Sequence, residues 1–98
     1  MKVSLSPSSE PGKKYTVVVE SKDQKKTIHF GDSSLKDYTL YSPLEREQRK
    51  KLYIARHRIR ENWNDPFSAG FWSKHILWNK PTVSASFADT KRRFGFTS

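Results

Sequence analysis

Apolar and polar positions alternate with a period near two over the first third of the 98-residue chain, and the period then lengthens. Tyr15–Glu20 (YTVVVE) and Lys26–Gly31 (KTIHFG) are β-rich runs separated by the polar stretch Ser21–Lys25. They predict a β-hairpin with a longer loop, with Tyr15, Val17 and Val19 on one face of the first strand and Ile28 and Phe30 on the matching face of the second. A lone hairpin is marginal in water, so its apolar face must be covered, and the helix that follows is the expected cover. Gly31–Ser34 reads as a turn, and Asp37–Tyr41 (DYTLY) as a third short strand. Met1–Gly12 has four serines, two prolines and no apolar periodicity after Leu5, the pattern of an extended tail.

From Leu44 the period becomes helical. Leu44, Gln48, Leu52, Ala55, Ile59 and Trp63 fall within one sector about 100° wide, the stripe of a core-facing helix. Ser42-Pro43-Leu44-Glu45 supplies a start signal: Ser at the N-cap, Pro at the first helical position, and Glu closing a capping box. The helix is expected to run to about Asn62. Its opposite sector holds Arg46, Arg49, Lys50, Arg56, His57 and Arg60, with Tyr53 in the middle. Asn62–Thr82 (NWNDPFSAGFWSKHILWNKPT) holds all three tryptophans, Trp63, Trp72 and Trp78, together with Phe67 and Phe71. Asp65-Pro66 and Lys80-Pro81 bracket a short aromatic helix capped by Asp65 or Ser68. With Phe87, these aromatics are the expected core, because such side chains bury the most area each. A last helix, Val83–Arg93, capped by Thr82 or Ser84, turns Val83, Phe87 and Phe94 inward and leaves Ser84, Ser86, Asp89 and Thr90 outside. Phe94-Gly95-Phe96 is then a sticky end that docks on its own core or inserts into a partner. The expected fold is α+β: an N-terminal hairpin or small antiparallel sheet packed on a long amphipathic helix, then two shorter helices. One domain spans residues 14–94, flanked by an extended tail (1–13) and a C-terminal tail (95–98).

The run NWNDPFSAGFWSKHILWNKPT, preceded by HFGD, DYTLY and EREQRKKLYIARH, resembles a family of short proteins encoded by large double-stranded DNA viruses of eukaryotes. The resemblance covers about Lys14 to Phe94, and the AGFWS…LWNKPT part is its most particular element. The family is a domain of unknown function. It implies a viral setting, a virion or the cytoplasm or nucleus of an infected cell, and brings no catalytic residues with it.

Charge changes the picture more than composition does. The net charge is +9, and it is uneven: residues 1–41 carry seven Lys/Arg against five Asp/Glu, residues 42–98 twelve against five. A basic C-terminal half attracts a polyanion, whether nucleic acid, an acidic protein surface or anionic lipid. With no cysteine, disulfides and thiolate metal sites are excluded. No apolar run is long enough to span a membrane.

Catalytic patterns are missing from the sequence. His29, His57 and His75 form no metal-ligand spacing, and the four glycines are scattered rather than gathered into a phosphate loop. The expectation is therefore a non-enzyme without metal, cofactor or small-molecule substrate. Arg49, Arg56 and Arg60, spaced by seven and four, line one side of the long helix with Arg46, Lys50 and Tyr53 beside them. Guanidinium forks suit carboxylates and phosphates, and a tyrosine among them can stack. Lys91, Arg92 and Arg93 form a second basic cluster in the last helical turn. Two readings follow. The first is a minor capsid or cement-like protein docking on other virion proteins through the basic helix face and aromatic segments. The alternative is a genome-packaging accessory that holds the backbone of DNA or RNA. A solvated helix face with i,i+4 pairs such as Glu45–Arg49 competes with both.

Overall fold

Val17 lies opposite Ile28, and Tyr15 opposite Phe30, across two antiparallel strands whose apolar residues share one face. In the computed structural model, which describes residues 1–98, these strands are β2 (Lys13–Glu20) and β3 (Lys25–Asp32), close to the bounds the alternation predicts. The third strand comes from elsewhere. Residues 2–7, assigned by pattern to an extended tail, are extended as β1 (Lys2–Pro7), which pairs antiparallel with β2 and puts Val3 opposite Val19 and Leu5 opposite Val17. The sheet order is β1-β2-β3. Val3 is fully buried, and a strand edge with unpaired amides gives a short, polar-rich segment its partner.

Asp37–Tyr41 is not a strand. The Asp37 carboxylate accepts from the Thr39 amide and hydroxyl, and the Leu40 and Tyr41 amides return to the Asp37 carbonyl. That local competition winds the segment into a turn. Lys14 Nζ meets the same buried carboxylate at 2.6 Å and ties the turn to β2.

The helices are α1 (Arg46–His57), α2 (Ala69–Trp72) and α3 (Val83–Phe94). The Ser68 hydroxyl caps α2 and the Thr82 hydroxyl caps α3; Gly95, at φ 71°, ends α3 in the left-handed conformation. The capping box at Ser42 does not form. The Glu45 and Arg46 amides bond to the Ser42 carbonyl, the Ser42 side chain caps nothing, and α1 starts only at Arg46.

α2 widens directly into a π-helical turn, Ser73–Leu77. The wider turn brings Phe71, Trp72, His75, Ile76 and Leu77 inward together, and all five are buried. Phe71, Trp72, Ile76 and Leu77 form one core with Val3, Val17, Val19, Ile28 and Phe30. This aromatic segment covers the sheet, in place of the long helix expected there. Gly31, at φ 83°, lets β3 approach: a Cβ there would lie 2.8 Å from a Leu77 methyl. Of the expected core aromatics, Phe71 and Trp72 are fully buried, while Trp63, Phe67, Trp78 and Phe87 are half-buried around them.

α3 packs on the π-turn with Val83, Phe87 and Phe94 against the core as expected, but three of the polar residues expected outside are turned inward too. Ser86, Asp89 and Thr90 are buried, whereas Ala85 and Ala88 face out. The polar backbone of the wide turn needs partners in the interior. Thr90 Oγ1 donates to the His75 carbonyl at 3.2 Å, Asn79 Nδ2 donates to that carbonyl and to Asp89, and Ser86 Oγ accepts the Lys80 amide. Beyond α3, Phe96 packs on Phe71 and Trp72, and Thr97 makes a parallel bridge with Lys2. The C-terminal aromatics thus dock on their own core.

Candidate functional site

α1 buries none of its residues. Its orientation explains this. Most of the predicted core stripe points away from the body: Leu44, Gln48, Ala55 and Ile59 are exposed, Leu44 to 96% and Ile59 to 89%, while exposed Leu52 sits at the helix's inner edge and Trp63 alone is half-buried. The sheet has one apolar face, and the tryptophan-rich segment already occupies it, so no apolar partner is left for the stripe.

The helix attaches through its other side. The Tyr53 ring stacks on Trp78 at 4.7 Å, nearly parallel, with His57 at 4.4 Å and Trp63 beyond. Burial holds the Tyr53 phenol far above its ordinary pKa and so neutral. Arg46 and Lys50 lie over the Tyr38 ring at 5.4 and 5.3 Å, and the Tyr38 hydroxyl donates to Glu47. Three predicted site residues, Arg46, Lys50 and Tyr53, are therefore the anchor of α1.

Between α1 and the body runs a groove of about 450 Å³. Phe30, Leu77, Trp78, Tyr41, Tyr53 and Leu52 supply its apolar lining. Arg49 and Arg56 reach it from α1, Lys13 and Lys14 from β2, and Lys36 from the turn. Of its three carboxylates, one is neutralised by a lysine. Asp37 holds Lys14, Glu61 faces His57 at 3.8 Å, and Asp32 accepts from the Ser34 hydroxyl and amide, which lower its pKa. Glu61 also lies against Gly70, where a Cβ would be 1.7 Å from a carboxylate oxygen. Lys13, Lys36, Arg49 and Arg56 make no ion pair with any carboxylate.

The remaining predicted residues go elsewhere. Arg60 is exposed beyond the end of α1, beside exposed Arg58 and Ile59. Lys91 donates to the Ser98 hydroxyl and covers the Phe87 ring, while Arg92 and Arg93 both grip Asp89 at 2.6 and 2.8 Å. Hydrogen bonds from Asn79 and then Arg93 hold the Asp89 carboxyl down at about 2. The Lys91-Arg92-Arg93 cluster is thus largely committed within the fold. Sequence reasoning missed Lys13, Lys36 and Tyr41 as groove residues. Nothing in the local sequence marks them, because they converge only through tertiary structure.

No three His, Cys, Asp or Glu side chains gather as a metal-holding group, and no helix is long and apolar enough to cross a membrane. No curated protein and no solved structure matches the chain. A model for a family of unknown function, DUF5754, matches residues 3–57, from β1 to the last residue of α1. The AGFWS…LWNKPT segment lies outside that match. The matched span is more than half of the chain, and the chain belongs to this family.

Proposed function

We propose that this member of the DUF5754 family is a non-enzymatic structural protein that docks through the outer face of α1 on an acidic protein surface with apolar recesses. The sequence resemblance to proteins of large DNA viruses suggests the setting: a virion, with the chain as a minor capsid or cement-like component. One observation carries the docking reading. α1 contributes nothing to the core, yet its flanks hold Leu44 and Ile59 in solvent, with Lys51, Arg58 and Arg60 also exposed. Exposed apolar side chains rimmed by charge are what a protein interface uses. The positive rim suits a carboxylate-rich partner and opposes a second copy of this basic chain.

A nucleic-acid backbone would also answer the charge, but it has no use for Leu44 and Ile59, and Arg92 and Arg93 are tied to Asp89. The two readings part on substitution. Leu44→Asp with Ile59→Asp should leave the isolated protein folded, since both side chains are already in water, and should cut its incorporation into particles about tenfold or more. Arg58→Glu with Arg60→Glu should do the same. The docking reading fails if the Leu44/Ile59 variant incorporates normally. Salt-dependent binding to random-sequence DNA that is lost only in the arginine variant would put the backbone reading in its place.

A further inference from the structure

The groove behind α1 is distinct from the outer face. Four cations, Lys13, Lys36, Arg49 and Arg56, come from a strand, a turn and a helix to one lined space, and none has a carboxylate partner. Lys36 and Arg49 approach the same Tyr41 ring, at 5.8 and 5.2 Å. Like charges brought together repel, and an anion between them turns that repulsion into attraction. Of the carboxylates nearby, Asp37 is taken by Lys14, and Asp32 and Glu61 make no ion pair with any of the four, so the Lys and Arg side chains of the lining outnumber its carboxylates.

The lining supplies the rest of the ligand's description. Tyr41, Tyr53, Trp78, Phe30 and Leu77 make one side of the groove aromatic and apolar, opposite the cationic rim. A bare phosphate would leave that side idle. The groove's volume of about 450 Å³ lies within the range of small-molecule sites, roughly 300–1,000 Å³. A planar base carrying phosphates satisfies both halves at once, with guanidiniums forking onto phosphate oxygens and the base against aromatic side chains.

We propose that this groove is a binding site for a nucleoside phosphate, with Arg49, Arg56, Lys13 and Lys36 holding the phosphates and the Tyr41–Tyr53–Trp78 side receiving the base. No reaction is implied; the ligand is bound, and it ties α1 to the sheet.

The test is a titration of the full chain with ATP and with inorganic triphosphate, followed by tryptophan fluorescence, since Trp78 lines the groove. Two double variants remove the same charge from different places: Arg49→Gln with Arg56→Gln inside the groove, Arg58→Gln with Arg60→Gln outside it. ATP should bind saturably and quench fluorescence, and triphosphate should bind about tenfold more weakly. The groove variant should lose about tenfold or more in ATP affinity, and the outer variant should stay within about threefold. All four arginines are exposed, so both variants should keep the parent melting temperature. Equal weakening in the two variants would reduce the effect to net charge and overturn the site. Triphosphate binding as tightly as ATP would overturn the base half, and the absence of saturable ATP binding would overturn the whole. Particle incorporation depends on the outer face, so the two readings fail separately: the groove variant keeps docking even if it loses the nucleotide.

Discussion

His75 is a buried imidazole whose partners fix its protonation. Arg93 Nη2 can only donate, so Nδ1, at 3.1 Å, must accept, and Nε2 carries the hydrogen donated to the Trp63 carbonyl at 3.0 Å. Phe71 and Phe94 pack against the ring, and Lys74 and Arg93 add positive charge. Burial is the main cause that lowers its pKa to about 4; the Trp63 carbonyl and Asp89 only partly oppose it. The folded state therefore favours neutral His75, while the unfolded chain protonates near 6.5. Stability from this site is intact above about pH 6.5 and is lost as pH falls toward 4, by roughly 2 kcal/mol between pH 7 and pH 5. Asp89 shifts the same way but acts lower: its contribution holds above the ordinary carboxylate range and falls away only toward pH 2. Urea unfolding at pH 7 and pH 5 measures the loss directly. In His75→Phe the overall stability should be lower, since Arg93 and the Trp63 carbonyl lose a partner, but the drop between those two pH values should vanish. A drop that persists in that variant would place the titration elsewhere.

At the scale of elements, α1 is the least supported part of the fold. Twelve residues are too few for a stable helix in water, and this one has no side-chain N-cap and no fully buried residue. Its hold is the Tyr53–Trp78 stack and the cations over Tyr38. Amide exchange should therefore show α1 opening at a free energy several kcal/mol below that of β2, β3 and α3. Tyr53→Ala should lower α1 protection further and leave the sheet unchanged; protection in α1 equal to that of β2 would contradict its detachment. The same element shows the reach of sequence pattern. Alternation found β2 and β3 within a residue or two, Thr82 marked the start of α3, and the α+β class followed. The 100° stripe of α1 was also legible, but a stripe names a face and not its partner. Phe71, Trp72, Ile76 and Leu77, packed together by a π-turn that no periodicity signals, took the sheet first. β1 was invisible because Lys2–Pro7 has only Val3 and Leu5 to offer, and its strand exists by pairing with β2. For the site, Arg49 and Arg56 could be picked out by spacing. Lys13, Lys36 and Tyr41 could not, since each joins them from a distant part of the chain.

Over the whole molecule, the positive charge divides into three uses. Arg46 and Lys50 secure α1, Arg92 and Arg93 close on Asp89, and Lys13, Lys36, Arg49 and Arg56 rim the groove. The core is held at a different place, where both ends of the chain meet. Val3 N donates to the Thr97 carbonyl at 2.7 Å, Thr97 N donates to the Met1 carbonyl at 3.0 Å, and Phe96 anchors the return on Phe71 and Trp72.

That closure has a kinetic consequence. Joining Val3 to Thr97 closes a loop of nearly the full chain, the contact with the highest entropic cost, so it should form after the hairpin and α3 rather than nucleate them. Phe96→Ala should cost about 2 kcal/mol and express it almost wholly as faster unfolding, about thirtyfold, with the folding rate unchanged. Stopped-flow chevrons resolve the two limbs, and a slowed folding limb would move the closure into the nucleus. The bond between the ends would then act as a latch, setting how long the folded molecule lasts rather than how quickly it is reached.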